Sequence, residues 1–202
     1  MKKIQLAGFT ALLSFSLFGT AVASPTKQIY VPKYFVQLAR DTSVPADILY
    51  ALTVKESNTK MNNKTMAPWP FTINFRGKGY TYASYAEMIT AARRLVKEGH
   101  TSFDIGAFQV NWKWNGHLAN SLEELGQPYQ NGIVAAKIIK GHYEKYGNWC
   151  TAAGRYHNPA NKAGLADSYA ADYCEILRSI QTGNYQRHLV SKTQTYATST
   201  RK

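Results

Sequence analysis

The chain has 202 residues, 45% hydrophobic and 13% aromatic, with 24 Lys and Arg against 12 Asp and Glu for a formal net charge of +12. That length suits one compact domain with a sizeable core, and no internal repeat or second domain is visible. The basic surplus attracts anionic partners, whether cell-wall polymer, lipid headgroups or nucleic acid, and alone selects none of them.

The first segment reads as an export signal. Lys2 and Lys3 precede an apolar run from Leu6 to Phe18, and Ala21-Val22-Ala23 supplies a small-x-small cleavage pattern. Residues 1–23 are expected to be a signal peptide cut before Ser24; the alternative, a retained N-terminal membrane anchor, is opposed by the shortness of the run. With no cysteine near the cut, a lipoprotein anchor is not expected. The mature chain is then exported, without a membrane span.

Helical spacing of Tyr34, Phe35, Leu38 and Ala39 predicts a helix over about 30–41. Val44-Pro45 breaks it, and Pro45 is placed to open a second helix over about 45–57. Between Trp69 and Ala83 the period changes to two, with Phe71, Ile73 and Phe75 alternating with Thr72 and Asn74 before the turn residues Gly77-Lys78-Gly79, a β-hairpin pattern. Ser84-Tyr85-Ala86-Glu87 is a capping box opening a helix to about Glu98, closed by Gly99. Ser121-Leu122-Glu123-Glu124 is a second box, opening a short helix stopped by Gly126 and Pro128. Helices are expected over about 131–146, 148–156 and 164–181. From Gly183 the chain is polar, basic and poor in large aliphatics, so 183–202 is expected to be a flexible tail.

Cys150 and Cys174 are the only cysteines. An even count in an exported chain favours a disulfide, with two free buried thiols or half a metal site as alternatives. A metal site has little support, because no histidine stands at ligand spacing with a cysteine.

On the second helix, Leu49, Leu52, Thr53 and Glu56 share one face. A carboxylate continuing an apolar stripe is partly desolvated, which raises its pKa towards what a general acid needs near neutrality. A glutamate frayed into solvent is the plainer reading of the same spacing.

Three blocks then decide between these readings. The helix ending in Glu56-Ser57, the segment Gly106-Ala107-Phe108-Gln109-Val110-Asn111, and Ala152-Ala153-Gly154-Arg155-Tyr156-His157-Asn158 stand in that order. Together they resemble the soluble lytic transglycosylases and goose-type lysozymes of the lysozyme-like superfamily. Trp69-Pro70-Phe71-Thr72-Ile73-Asn74, Gly77-Lys78-Gly79-Tyr80 and Asp104-Ile105-Gly106 are similar to a branch associated with conjugation, pilus or secretion machinery. The resemblance runs from about residue 33 to 178. Phe108 stands where the family has methionine, and His157 where the wider family has asparagine.

The resemblance implies a mainly α, lysozyme-like α+β fold over residues 24–182, one domain of helices with a small β-hairpin lobe and a cleft. It implies a monomer that cleaves the β-1,4 bond between N-acetylmuramic acid and N-acetylglucosamine in peptidoglycan, leaving a 1,6-anhydro ring. Glu56 is the implied acid and base at the floor of the cleft. Ser57, Gln109, Asn111, Tyr156 and His157 are the implied substrate-binding residues, with no metal or organic cofactor and a periplasmic location. Asp104 is read as pinning the turn into the Gly106 block, with the ordering of a hydrolytic water as its other reading. Trp69, Trp112, Trp114 and Trp149 are each as well explained by packing as by sugar stacking. A muramidase on the same fold and a non-catalytic wall- or DNA-binding component of a transfer apparatus are the rivals. No sequence-specific nucleic-acid motif is present.

Overall fold

The structure is a computed structural model that describes residues 31–60 and 66–185. The expected signal peptide lies outside the described residues, as does the expected tail from 186 onward. The protein is a mainly helical single domain with small antiparallel sheets.

α1 (Lys33–Thr42) and α2 (Ala46–Ser57) are separated by Ser43 in the left-handed region and by Val44-Pro45. α2 is the helix around which the others gather. Ile48, Leu49, Tyr50, Ala51, Leu52, Thr53 and Val54 are buried in succession, so burial extends well beyond the stripe of Leu49, Leu52 and Thr53 read from spacing. A helix apolar on all sides belongs in the middle of a core. α1 and α8 (Leu165–Gln181) pack on its flanks.

At its C-terminal end α2 runs directly into β1 (Asn58–Lys60), which pairs with β2 (Met66–Pro68). The expected hairpin follows as β3 (Thr72–Phe75) and β4 (Lys78–Thr81), in register Phe75↔Lys78. Arg76 and Gly77 turn the chain with φ of 55° and 76°. Two left-handed residues make the tight turn whose twist matches the strands it joins. β5 (Asp104–Ile105) and β6 (Val110–Asn111) extend this sheet to the order β4-β3-β5-β6.

Both capping boxes form. Ser84 opens α3 (Tyr85–Lys97) by accepting from the Glu87 amide, while the Glu87 carboxylate accepts from the Ala83 amide. Ser121 and Glu124 do the same at α5 (Leu122–Gly126). Between them lies α4 (Trp112–Asn115), capped by Asn111. α6 runs Pro128–Tyr146 and so begins three residues before the expected 131. The reason is Pro128 itself, which occupies the first helical turn, where its missing N–H costs nothing and its fixed φ already suits the helix.

α7 (Trp149–His157) packs between α6 and α8. Cys150 and Cys174 form a disulfide between α7 and α8, with Cα atoms 5.6 Å apart. Gly154 makes the close approach possible: a Cβ there would stand 2.3 Å from the Ala166 carbonyl oxygen. The packed chain continues past α8 to Tyr185, whose ring meets Tyr50 edge-on at 6.0 Å. No helix among the described residues is long and apolar enough to cross a membrane.

Candidate active site

Glu56 is the penultimate residue of α2, where the helix emerges from the core towards the sheet. Three segments meet its carboxyl: the start of β5, the end of α7 and the first turns of α8. From α8, the Tyr169 hydroxyl donates to Glu56 Oε1 at 2.5 Å. Burial drives the Glu56 pKa up from 4.5 to about 7. The bond from Tyr169 opposes that rise, the nearby Asp104 carboxylate adds to it, and the Lys55 ammonium draws it down. Desolvation is the largest of these effects, and neither ion pair among the described residues involves this carboxylate.

Asp104 enters from β5. Its own pKa is raised, first by burial, against the Asn111 amide that donates to its Oδ1 at 2.8 Å and the neighbouring His157. The site thus holds two carboxyls of raised pKa close enough to feel each other.

Tyr156 and His157 close α7 over the same place. The Tyr156 hydroxyl donates to the Phe108 carbonyl at 2.7 Å, and its pKa is pushed well up by burial and by both carboxyls. His157 is largely exposed, but its ring stacks on Tyr169 with centroids 4.5 Å apart and planes 12° from parallel. Partial burial and Lys55 lower its pKa, with Asp104 acting the other way. Lys55 stands 5.1 Å from the centre of the Tyr169 ring while its ammonium is 2.6 Å from Asp172 Oδ2. Tyr169, 7% exposed, therefore has its hydroxyl on Glu56 and its ring against both an imidazole and an ammonium.

Of the residues expected from sequence, Glu56, Tyr156 and His157 come together here. Ser57 is buried, and its hydroxyl donates back to the Thr53 carbonyl at 3.1 Å, so it closes the helix. Gln109 holds a φ of 47°, and its side-chain amide donates to Thr72 Oγ1 at 2.9 Å and the Gly106 carbonyl at 2.8 Å. Asn111 donates to Asp104 and caps α4 through the Trp114 amide. Gln109 and Asn111 thus shape the β5–β6 turn and fix Asp104. Asp104 accepts this bond from the residue opposite it in the β5–β6 pair. Among the tryptophans, Trp149 stacks on Tyr143, Trp69 donates to the Tyr82 carbonyl and Trp112 packs against the core. Trp114 is 67% exposed, with Lys113 over its ring.

Two contributors were not read from the sequence. Tyr169 lies in an ordinary helical pattern outside the three blocks. Asn131, fully buried on α6, donates to the Ile105 and Leu125 carbonyls and accepts from the Phe108 amide. It thereby anchors the Gly106 turn to the helices. Gly106 has φ 83°, and a Cβ there would meet the Asn131 amide at 2.5 Å, so the two residues fit only as a pair. A glycine in that block signals a close approach, but nothing local names the residue approached.

Asp104 and Asn111 also line a groove of about 500 Å³ that extends beside the hairpin turn, past Asn74, Arg76, His100 and Ser102. Among the described residues no cluster of three or more His, Cys, Asp or Glu is placed to hold a metal ion. Chemically, the arrangement offers a carboxyl that can give a proton and take one back near neutral pH. Compared with known proteins, the chain matches no family model, no curated protein and no solved structure.

Proposed function

We propose that the protein is a peptidoglycan lytic transglycosylase in which Glu56 serves in turn as general acid and general base. The observation carrying this reading is the Glu56 carboxyl itself, raised to about 7 by burial and held by Tyr169 at 2.5 Å. A carboxylic acid with that pKa is protonated in a useful fraction at neutral pH and remains a competent base once ionised. In the proposed reaction it protonates the leaving glycosidic oxygen. It then accepts the proton of the muramoyl C6 hydroxyl as that oxygen closes on C1, leaving the 1,6-anhydro ring. The acetamido group of the substrate can stabilise the developing positive charge, so a second carboxylate is not required. The order of the Glu56, Gly106 and Ala152 blocks supports the same assignment.

The Cys150–Cys174 disulfide is in keeping with export to an oxidising compartment, and we place the enzyme in the periplasm, acting as a monomer on glycan strands. Local opening of the wall for a conjugation, pilus or secretion apparatus is the proposed setting, and it rests on the sequence resemblance alone.

Asp104 favours a second reading. A half-buried carboxyl electrostatically linked to Glu56 could order a water and turn the same site into a muramidase. Mass spectrometry of fragments released from purified peptidoglycan by wild type and by Glu56→Gln separates the two. Anhydro-muropeptides from wild type only are expected. Reducing, hydrated muropeptides would make the enzyme a hydrolase. No Glu56-dependent release at all would overturn both readings in favour of a binding component or of an enzyme that needs its partner present.

A further inference from the structure

The groove beside the hairpin turn contains a cation that the chemistry at Glu56 does not use. Sugar rings of the wall polymer carry no charge for Arg76 to meet; the polymer's carboxylates lie on the short peptides attached to muramic acid. We propose that this groove binds those stem peptides, with Arg76 as the residue that receives a peptide carboxylate. This rests on the reading of Glu56 as a peptidoglycan-cleaving acid.

Three features converge. The first is proximity: Asp104 lines the groove and its carboxylate also acts on Glu56, while Asn111, which donates to Asp104, lines the groove beside it. The second is character. About 500 Å³ is room for a few amino-acid residues, and Asn74, His100 and Ser102 offer hydrogen-bonding side chains along it. The third is the preparation of Arg76. Its guanidinium lies 4.9 Å from the centre of the Phe75 ring, and that ring packs on His100 at 5.1 Å. Stacking on an aromatic face limits the positions a long side chain must give up on binding, and a planar fork suits a carboxylate. Neither ion pair among the described residues, Lys55–Asp172 or Arg93–Glu123, involves Arg76. Asp104 orients the ligand, since a carboxylate seated beside it would be repelled while one at Arg76 is attracted.

The test titrates a synthetic Ala-γGlu-diaminopimelate tripeptide into isotope-labelled protein and follows backbone amides of residues 74–77 and 99–103. Arg76→Asn is the diagnostic variant, because asparagine tolerates the left-handed φ of 55° and the turn is kept while the charge is lost. Shifts at those amides, weakened roughly tenfold in Arg76→Asn, are expected from loss of one charge-assisted contact. In turnover, wild type should prefer stem-bearing glycan over glycan stripped by an amidase, and Arg76→Asn should lose that preference by slowing on the stem-bearing substrate alone. No shifts in the groove, or equal shifts in the variant, would overturn the proposal. Because the titration does not require cleavage, a failure of Glu56-dependent activity strikes the proposed function and leaves the binding result to stand or fall separately.

Discussion

Glu56 is pulled in two directions by contacts that can be separated. Burial penalises its charged form, and the Tyr169 hydroxyl stabilises that same form. Removing the hydroxyl while keeping the ring isolates the second effect. In Tyr169→Phe the carboxylate loses its donor, so the Glu56 pKa rises further above 7 and the alkaline limb of the pH–rate profile moves to higher pH. The carboxyl is also less firmly aimed, so kcat should fall by roughly tenfold, the scale of one hydrogen bond to a charged group. A stability effect alone would lower activity without moving the limb. A pH profile that stays in place would therefore show that Tyr169 only packs. His157 and Lys55 remain on the ring in this variant and keep the local stacking comparable.

At the scale of elements, the site depends on how closely α7 can lie on α8. Gly154 sets that distance, since a methyl group there would press on the Ala166 carbonyl oxygen at 2.3 Å and on Ala170 Cβ at 3.1 Å. Gly154→Ala gains up to about 1 kcal/mol of helix propensity but forces the two helices apart. Overpacking of this kind costs about 1–3 kcal/mol, so a net loss in denaturant unfolding is expected, together with reduced activity because Tyr156, His157 and Tyr169 shift relative to Glu56. Gly141→Ala on α6 is the control: nothing lies within 4 Å of its would-be Cβ, so it should be neutral or slightly stabilising. If the two variants behave alike, close packing at Gly154 is not what orders the site. Elements set by short-range chemistry were legible in the sequence, as Ser84 and Ser121 show with their glutamates three residues on. The hairpin was legible for the same reason, but its turn falls on Arg76 and Gly77, while Lys78 and Gly79 of the expected turn lie in β4. The burial of α2 on every side was not legible, because it depends on α1 and α8, which no window of residues contains. β5 and β6 escaped notice because two residues apiece give no period, and the Asn131 anchor because it reaches 26 residues back to Ile105. Glu56, Tyr156 and His157 were found through blocks of sequence. Tyr169 became visible only once α8 lay against α2.

For the molecule as a whole, the question is whether the disulfide holds the site or only the fold. Cys150 and Cys174 are 24 residues apart, and closing such a loop stabilises a protein by about 3 kcal/mol, mainly by restricting the unfolded chain. In the native state α7 and α8 already meet through Gly154 and Ala166, so the bridge adds little to their alignment. Replacing both cysteines by alanine should therefore lower Tm by about 6–12 °C for a chain of this size. Near 25 °C, well below that midpoint, kcat should stay within about twofold of wild type. A drop in kcat at 25 °C with an unchanged Tm would reverse the assignment, making the bridge a positioning device for Tyr156 and Tyr169. The expected result has a consequence for where the protein can work. Packing of α2, α7, α8 and the sheet suffices to assemble the carboxyl site, while the disulfide sets the margin by which that assembly survives heating or denaturant.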